Sequence, residues 1–232
     1  MYSHLTGRTR QVRSAPGAMM LHLTVDPSRP DPRALVRAAA IIERGGVVAY
    51  PTDTLYGLAA DPRQPSAIDR LRAVKARPAE RAIPLIAADV ADVTFAGALT
   101  PLAGRLAHAF WPGPLTLLLP AAAGLAEGVT SGTGTVGVRV PASEVARALA
   151  RAAGGLITST SANRSDEPAT CEPRDLVRLA QWGLDALVDA GASPGGQPST
   201  IVDATGAQPR LVRPGAVPWD RVLEFLERSA AG

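Results

Sequence analysis

In the stretch YPTDTLYGL (Tyr50–Leu58), Thr52, Asp53 and Thr54 follow directly on the apolar run Gly46–Tyr50 and Pro51. A Val/Ala run stopped by proline reads as a buried strand that presents two hydroxyls and a carboxylate at its end. LRAVKARP carries Lys75 and Arg77 where a helix must stop at Pro78, and Lys75 is the only lysine among 24 Lys+Arg. In ITSTSAN (Ile157–Asn163), strand alternation puts Ser159, Ser161 and Asn163 on one face. PSTIVD and LVRPG add Ser199, Thr200 and Arg213, and TVGVRVP sets Arg139 inside an apolar strand. A guanidinium there needs a partner or an anionic ligand. Small hydroxyls with Lys75, Arg77, Arg139 and Arg213 can bind and orient a polyanion. Electrostatics would be the main catalytic term, since no carboxylate pair or histidine device accompanies them. Taken singly, each stretch also reads as ordinary structure: a polar turn, a solvated helix face over Arg70–Arg81, or a turn with an N-cap.

Other chemistries lack their residues. A P-loop needs Lys after Gly, and Lys75 follows Val74. His4, His22 and His108 have no metal-ligand spacing, and neither HExxH nor GxSxG occurs, so no metal site and no nucleophilic triad is assigned. GTGTVG (Gly132–Gly137) matches GxGxxG, but that fingerprint must follow a strand and open a helix. Here it runs into VGVRV, and its bare N–H groups suit an anion instead. One cysteine, Cys171, allows no internal disulfide. No apolar run approaches the roughly 18 residues of a membrane span, and the N-terminal segment has no apolar leader, so a cytoplasmic location without a membrane is expected. The pI of 9.6 suggests nucleic acid. Yet Arg8, Arg10 and Arg13, in an acid-free segment 1–18, account for the whole formal charge of +3. Any basic surface must therefore be local. Residues 1–18 are expected to be a disordered tail or to precede a start near Met19, with the domain over 19–232.

These groups need a scaffold. Asp31-Pro32 opens and Gly45-Gly46 closes a helix in which Ala34, Leu35, Ala38, Ile41 and Ile42 recur at helical spacing. The patterns predict further helices over 66–75, 101–110, 143–153, 174–181 and 218–228. Strands are predicted over 46–50, 83–87, 115–119, 136–140, 156–158, 187–189, 200–203 and 211–213. With 46% hydrophobic but only 4% aromatic residues, the core must be Ala, Val, Leu and Ile, packed as helices on a sheet. The expected fold is a single α/β domain with a twisted mixed sheet flanked by helices, its strand ends lining one crevice. GASPGGQPS (Gly191–Ser199) is a loop within it.

In chain order, YPTDTLYGL, KARP, WPGPLT, GVRVP, STSAN, PSTIVD and RPG resemble the motifs of the YrdC-like family of threonylcarbamoyl-AMP synthases, over roughly residues 20–215. The resemblance implies a concave basic cavity and a nucleotidyl transfer. L-Threonine and bicarbonate give a carbamate, which attacks the α-phosphate of ATP to leave threonylcarbamoyl-AMP and pyrophosphate. A partner transferase complex then carries the group to a tRNA adenosine. It implies that Thr52, Arg139, Ser159 and Ser199 hold threonine. Lys75, Thr135, Ser161 and Arg213 would hold ATP, with Arg77 and Asn163 beside them and Lys75 and Arg77 serving catalysis. Mg2+ is expected with the nucleotide. A lone lysine fits as a compact point charge that follows phosphates as they move. The chain departs from the family in AERAIPLIAAD, which is longer and has Ala87-Ala88 where many members have histidine. It ends 17 residues after Gly215, like the short, single-domain form. The fold also resembles double-stranded-RNA binders, so a non-catalytic RNA-binding module is the alternative. Hydrogenase-maturation carbamoyltransferases join a related domain to zinc-binding and acylphosphatase-like regions, for which 232 residues and one cysteine leave no room.

Overall fold

Proline at the first turn opens several of the helices, because its fixed φ suits the helix and its missing N–H is not needed there. The computed structural model describes residues 8–13, 19–165 and 167–229. The first half runs β1 (Thr9–Arg13), β2 (Met19–Thr24), α1 (Pro32–Glu43), β3 (Val48–Tyr50), β4 (Gly57–Ala59), α2 (Pro65–Lys75), β5 (Leu85–Ala87) and α3 (Pro101–Phe110). The second half runs β6 (Leu115–Pro120), α4 (Glu127–Thr130), β7 (Thr135–Arg139), α5 (Glu144–Ala152), β8 (Leu156–Thr158), β9 (Thr160–Ser161), β10 (Ala186–Asp189), β11 (Thr200–Asp203), β12 (Arg210–Arg213) and α6 (Trp219–Arg228). The helix expected over 174–181 is a 3₁₀ run, Pro173–Trp182. Asp31, Thr100 and Ser143 cap α1, α3 and α5 through their side-chain oxygens, supplying acceptors for otherwise orphaned N–H groups.

Strand directions are mixed, as expected, but the strands divide into two six-stranded sheets. One has the order β1-β2-β10-β3-β4-β9 and the other β12-β11-β6-β7-β5-β8. The chain passes from the second sheet to the first at Ser159, between β8 and β9. Thr158 stitches the two together: its Oγ1 donates to Leu58 O (2.9 Å) and accepts from Ala60 N (2.8 Å). Tyr50 Oη donates to Thr158 O at 3.0 Å. Leu71, Val74, Leu85, Leu117, Val138 and Leu187 belong to one apolar cluster. A second packs α1 and α5, through Leu35, Ile42, Val145 and Leu149, on Val48, Tyr50, Ile86 and Ile157.

The expectation of a tail needs correction at residues 9–13, which pair antiparallel with β2 from Thr9↔Leu23 to Arg13↔Met19. An edge strand needs only main-chain partners, and Arg10 gains one for its side chain as well: its Nε donates to His22 Nδ1 at 3.0 Å. His22 Nε2 lies 2.8 Å from Asp189. Residues 1–7 and 14–18 lie outside the described residues.

Candidate active site

Local backbone devices aim separate elements at one cavity. After β3, Pro51 ends the ladder and a tight turn follows. Thr52 Oγ1 donates to Leu55 O at 2.7 Å, and Thr54 N donates back to Thr52 Oγ1 at 3.1 Å. Gly57 then passes over the Tyr50 ring, where a Cβ would lie 3.1 Å from the ring carbon Cζ. At the end of α2, Ala76 takes a left-handed conformation with φ 52°. That twist sends Lys75 and Arg77 to different places. Arg77 reaches the cavity, its Nε donating to Arg81 O (3.2 Å) and Nη2 to Ala82 O (2.5 Å). At the far end of the chain, a Cβ on Gly215 would lie 2.3 Å from Pro198 O and 2.6 Å from Ser199 C. Only glycine lets these backbones touch. That contact lets Arg213 Nη2 donate to Ser199 O at 2.6 Å, while Ser199 Oγ sits 2.9 Å from Thr116 Oγ1. Ser159, at the crossover between sheets, is fixed by its N–H to Pro84 O at 2.7 Å.

The cavity so formed has a volume of about 380 Å³. Of the residues expected from sequence, Thr52, Arg77, Arg139, Ser159, Ser161, Ser199 and Arg213 line it. Thr54, Tyr56, Thr116 and Thr160 join them. The sequence showed Thr54 at the strand end, but none of these four was expected to hold a ligand. Thr116 carried a signal, being the one hydroxyl in the buried run LTLLL. Lys75, Thr135 and Asn163 are not on the wall. Lys75 is 3% exposed, and its Nζ donates to Ser161 O (2.7 Å), Asn163 Oδ1 (2.9 Å) and Asn163 O (3.1 Å), with Ser161 Oγ at 3.2 Å. It braces the strand and loop that carry Ser161. Asn163 extends the brace, its Nδ2 donating to Arg164 O at 2.8 Å and Glu167 O at 2.5 Å. Thr135 begins β7, at the end opposite Arg139, where its hydroxyl meets that of Thr133 at 3.1 Å. Ala87 and Ala88 are fully buried and offer no polar contact in place of histidine.

The charges are crowded. Burial, then the like charges of Arg72, Arg81 and Arg213, push the Arg77 guanidinium down to about 10. Burial and Arg139 lower Arg213. Burial and the charges of Arg77 and Arg81 push the Lys75 ammonium down to about 8, against the pull of its four oxygens. Cations that hold down one another's proton affinity gain from an anion set among them. Asp53 answers only one of them, lying 2.6 Å from Arg139 Nη1. Among the described residues no group of three His, Cys, Asp or Glu could hold a metal ion.

A family model described as telomere recombination, Sua5/YciO/YrdC, matches residues 40–215. A threonylcarbamoyl-AMP synthase of Pyrococcus abyssi is 34% identical over 190 residues, covering 82% of this chain and 56% of its own length. One from Alkalilimnicola ehrlichii is 44% identical over 185 residues, covering 77% of this chain and 95% of its own. The chain thus spans little more than half of the Pyrococcus relative and nearly all of the Alkalilimnicola one. The crystal structure of P. abyssi Sua5 complexed with L-threonine matches with a TM-score of 0.81 at 32% identity, over 88% of this chain and 60% of that one. With three-quarters of its length matched by the family model and relatives above 30% identity on most of that span, the chain belongs to the Sua5/YciO/YrdC family.

Proposed function

We propose that this chain is a threonylcarbamoyl-AMP synthase. The observation that carries the reading is the cavity itself, where Arg77, Arg139 and Arg213 meet Ser159, Ser161 and Ser199, in a family whose members bear that name. Threonine is held by Arg139 at its carboxylate and by Thr52, Ser159 and Ser199 at its other polar groups. Its amine and bicarbonate give the carbamate with loss of water. A carbamate oxygen attacks the α-phosphorus of ATP, the bond from that phosphorus to the bridging oxygen breaks, and pyrophosphate leaves with the electron pair. Arg77, Arg213 and Ser161 donate to the phosphate oxygens. Their charge is already in place, so it stabilises the growing negative charge on the leaving group without reorganisation. Lys75 and Asn163 act from behind by holding Ser161. Thr135, which lies off the cavity wall, is left to the rest of the nucleotide in this reading. The cavity wall carries no carboxylate, so Mg2+ would be held mostly by the phosphates and water and would supply charge neutralisation there.

The reading includes a partner transferase complex that passes the group to a tRNA adenosine in the cytoplasm. No helix among the described residues is long and apolar enough to cross a membrane. The test is pyrophosphate release from ATP with threonine and bicarbonate omitted in turn. Release that needs both is expected. Release with neither points to another acyl substrate and overturns the reading. So does the absence of release alongside tight tRNA binding.

A further inference from the structure

Asp53 belongs to the loop after β3, in the first sheet, and Arg139 ends β7, in the second. Their side chains are 11% and 5% exposed and meet at 2.6 Å. The other Asp53 oxygen, Oδ2, accepts from Ala142 N at 3.3 Å, just before α5. The carboxylate is thus held at both oxygens by the stretch from Arg139 to Ala142 and closes a bond between the two sheets. Arg139 lines the cavity and Asp53 does not. Asp53 therefore stands behind the guanidinium, as seen from a ligand. An arginine head on a long flexible stem, buried without a partner, would be expensive to keep and free to turn. Nη1 spends one proton on Asp53, which fixes the plane of the fork and leaves Nη2 for a ligand oxygen.

We propose that Asp53 is a positioning residue for the amino-acid substrate. By gripping Arg139 across the sheets, it aims that guanidinium at the substrate carboxylate and keeps Thr52, its chain neighbour, facing the same ligand. The inference rests on Arg139 taking that carboxylate.

The experiment measures pyrophosphate release for Asp53→Asn, Arg139→Gln and the double variant, with threonine and ATP varied separately. Misaiming a positioning group by about an ångström costs up to about a hundredfold. We expect the threonine KM of Asp53→Asn to rise about ten- to a hundredfold, with the ATP KM within about twofold. The double variant should be no worse than Arg139→Gln alone, because Asp53 acts through Arg139. Additive losses, an unchanged or lower threonine KM in Asp53→Asn, or equal losses for both substrates overturn the proposal. If Arg139→Gln itself leaves the threonine KM unchanged, the reading of Arg139 fails, and that result is distinct. Should Asp53→Asn not fold, Asp53→Glu keeps the charge one methylene away. It must show the same bias toward threonine for the proposal to stand.

Discussion

Lys75 is the only lysine of the chain, which makes its titration directly observable. In the fold its pKa is about 8 against an ordinary 10.5. At about 1.4 kcal/mol for each pH unit, carrying that proton at pH 7 costs the folded state about 3 kcal/mol. The sign follows from linkage. Between pH 8 and 10.5 the unfolded chain keeps the proton and the folded chain has released it, so raising the pH through that window favours the fold. Lys75→Met removes the ammonium and keeps most of the stem. The stability difference between parent and variant should be flat below pH 8 and should shift toward the parent by about 3 kcal/mol up to pH 10.5. Denaturant unfolding at stepped pH measures it. A protein labelled only at lysine carbon gives one side-chain NMR signal, whose midpoint should fall near 8. At neutral pH the variant leaves the carbonyls of Ser161 and Asn163 without their donor. Loss of a charge-assisted bond worth about 1.5–3 kcal/mol predicts a fall in turnover of about ten- to 150-fold. A signal that titrates at the ordinary lysine value, with a flat difference curve, refutes the buried brace. Unchanged turnover refutes its role in the site.

Gly215→Ala should displace Ser199 and Arg213 together, since the new methyl overlaps Pro198 O. Overpacking of about 1–3 kcal/mol should appear in the denaturation midpoint, with a larger loss of pyrophosphate release than any surface Gly→Ala, such as Gly206. Ser199→Ala should raise the threonine KM more than the ATP KM, and equal rises would remove Ser199 from the threonine side. Binding of pyrophosphate should draw a proton onto Lys75, so its affinity should weaken as pH rises through about 8. Calorimetry in two buffers of different ionisation enthalpy reads the uptake, and zero uptake at pH 8.5 contradicts the field described. Thr158→Val should strip Ala60 N and Leu58 O of their partner and lower stability by about 1–3 kcal/mol, measurable by urea unfolding.

The punctuation of the chain was legible because it is local. Pro51, Pro78 and Pro214-Gly215 mark where elements must stop, and the polar residues beside them do meet in space. What lies behind the wall was not legible. Lys75 and Arg77 read as a pair, and only the left-handed turn at Ala76 parts them. Alanine rarely adopts that conformation, so nothing in KARP announces it. Asp53 was visible as a polar residue, but its partner is 86 positions away in the other sheet. The division into two sheets escaped because β4 and β9 have three and two residues, too few to show a period. The Arg-rich, acid-free β1 has the composition of a tail and the backbone of an edge strand.

The seam at Ser159 makes ligand binding a matter for the whole molecule. A substrate touching Thr52, on the loop of one sheet, and Arg139, in the other, lies across the boundary between the sheets, in the cavity that Ser159 also lines. Its affinity then adds to the cohesion of both sheets at once. At a hundred times its Kd, a ligand adds about 2.7 kcal/mol to folding stability. That gain should slow amide hydrogen exchange in β3 and β10 on one side and in β6 and β7 on the other. Loops at the rim, which open without parting the sheets, should keep the exchange rates of the free protein.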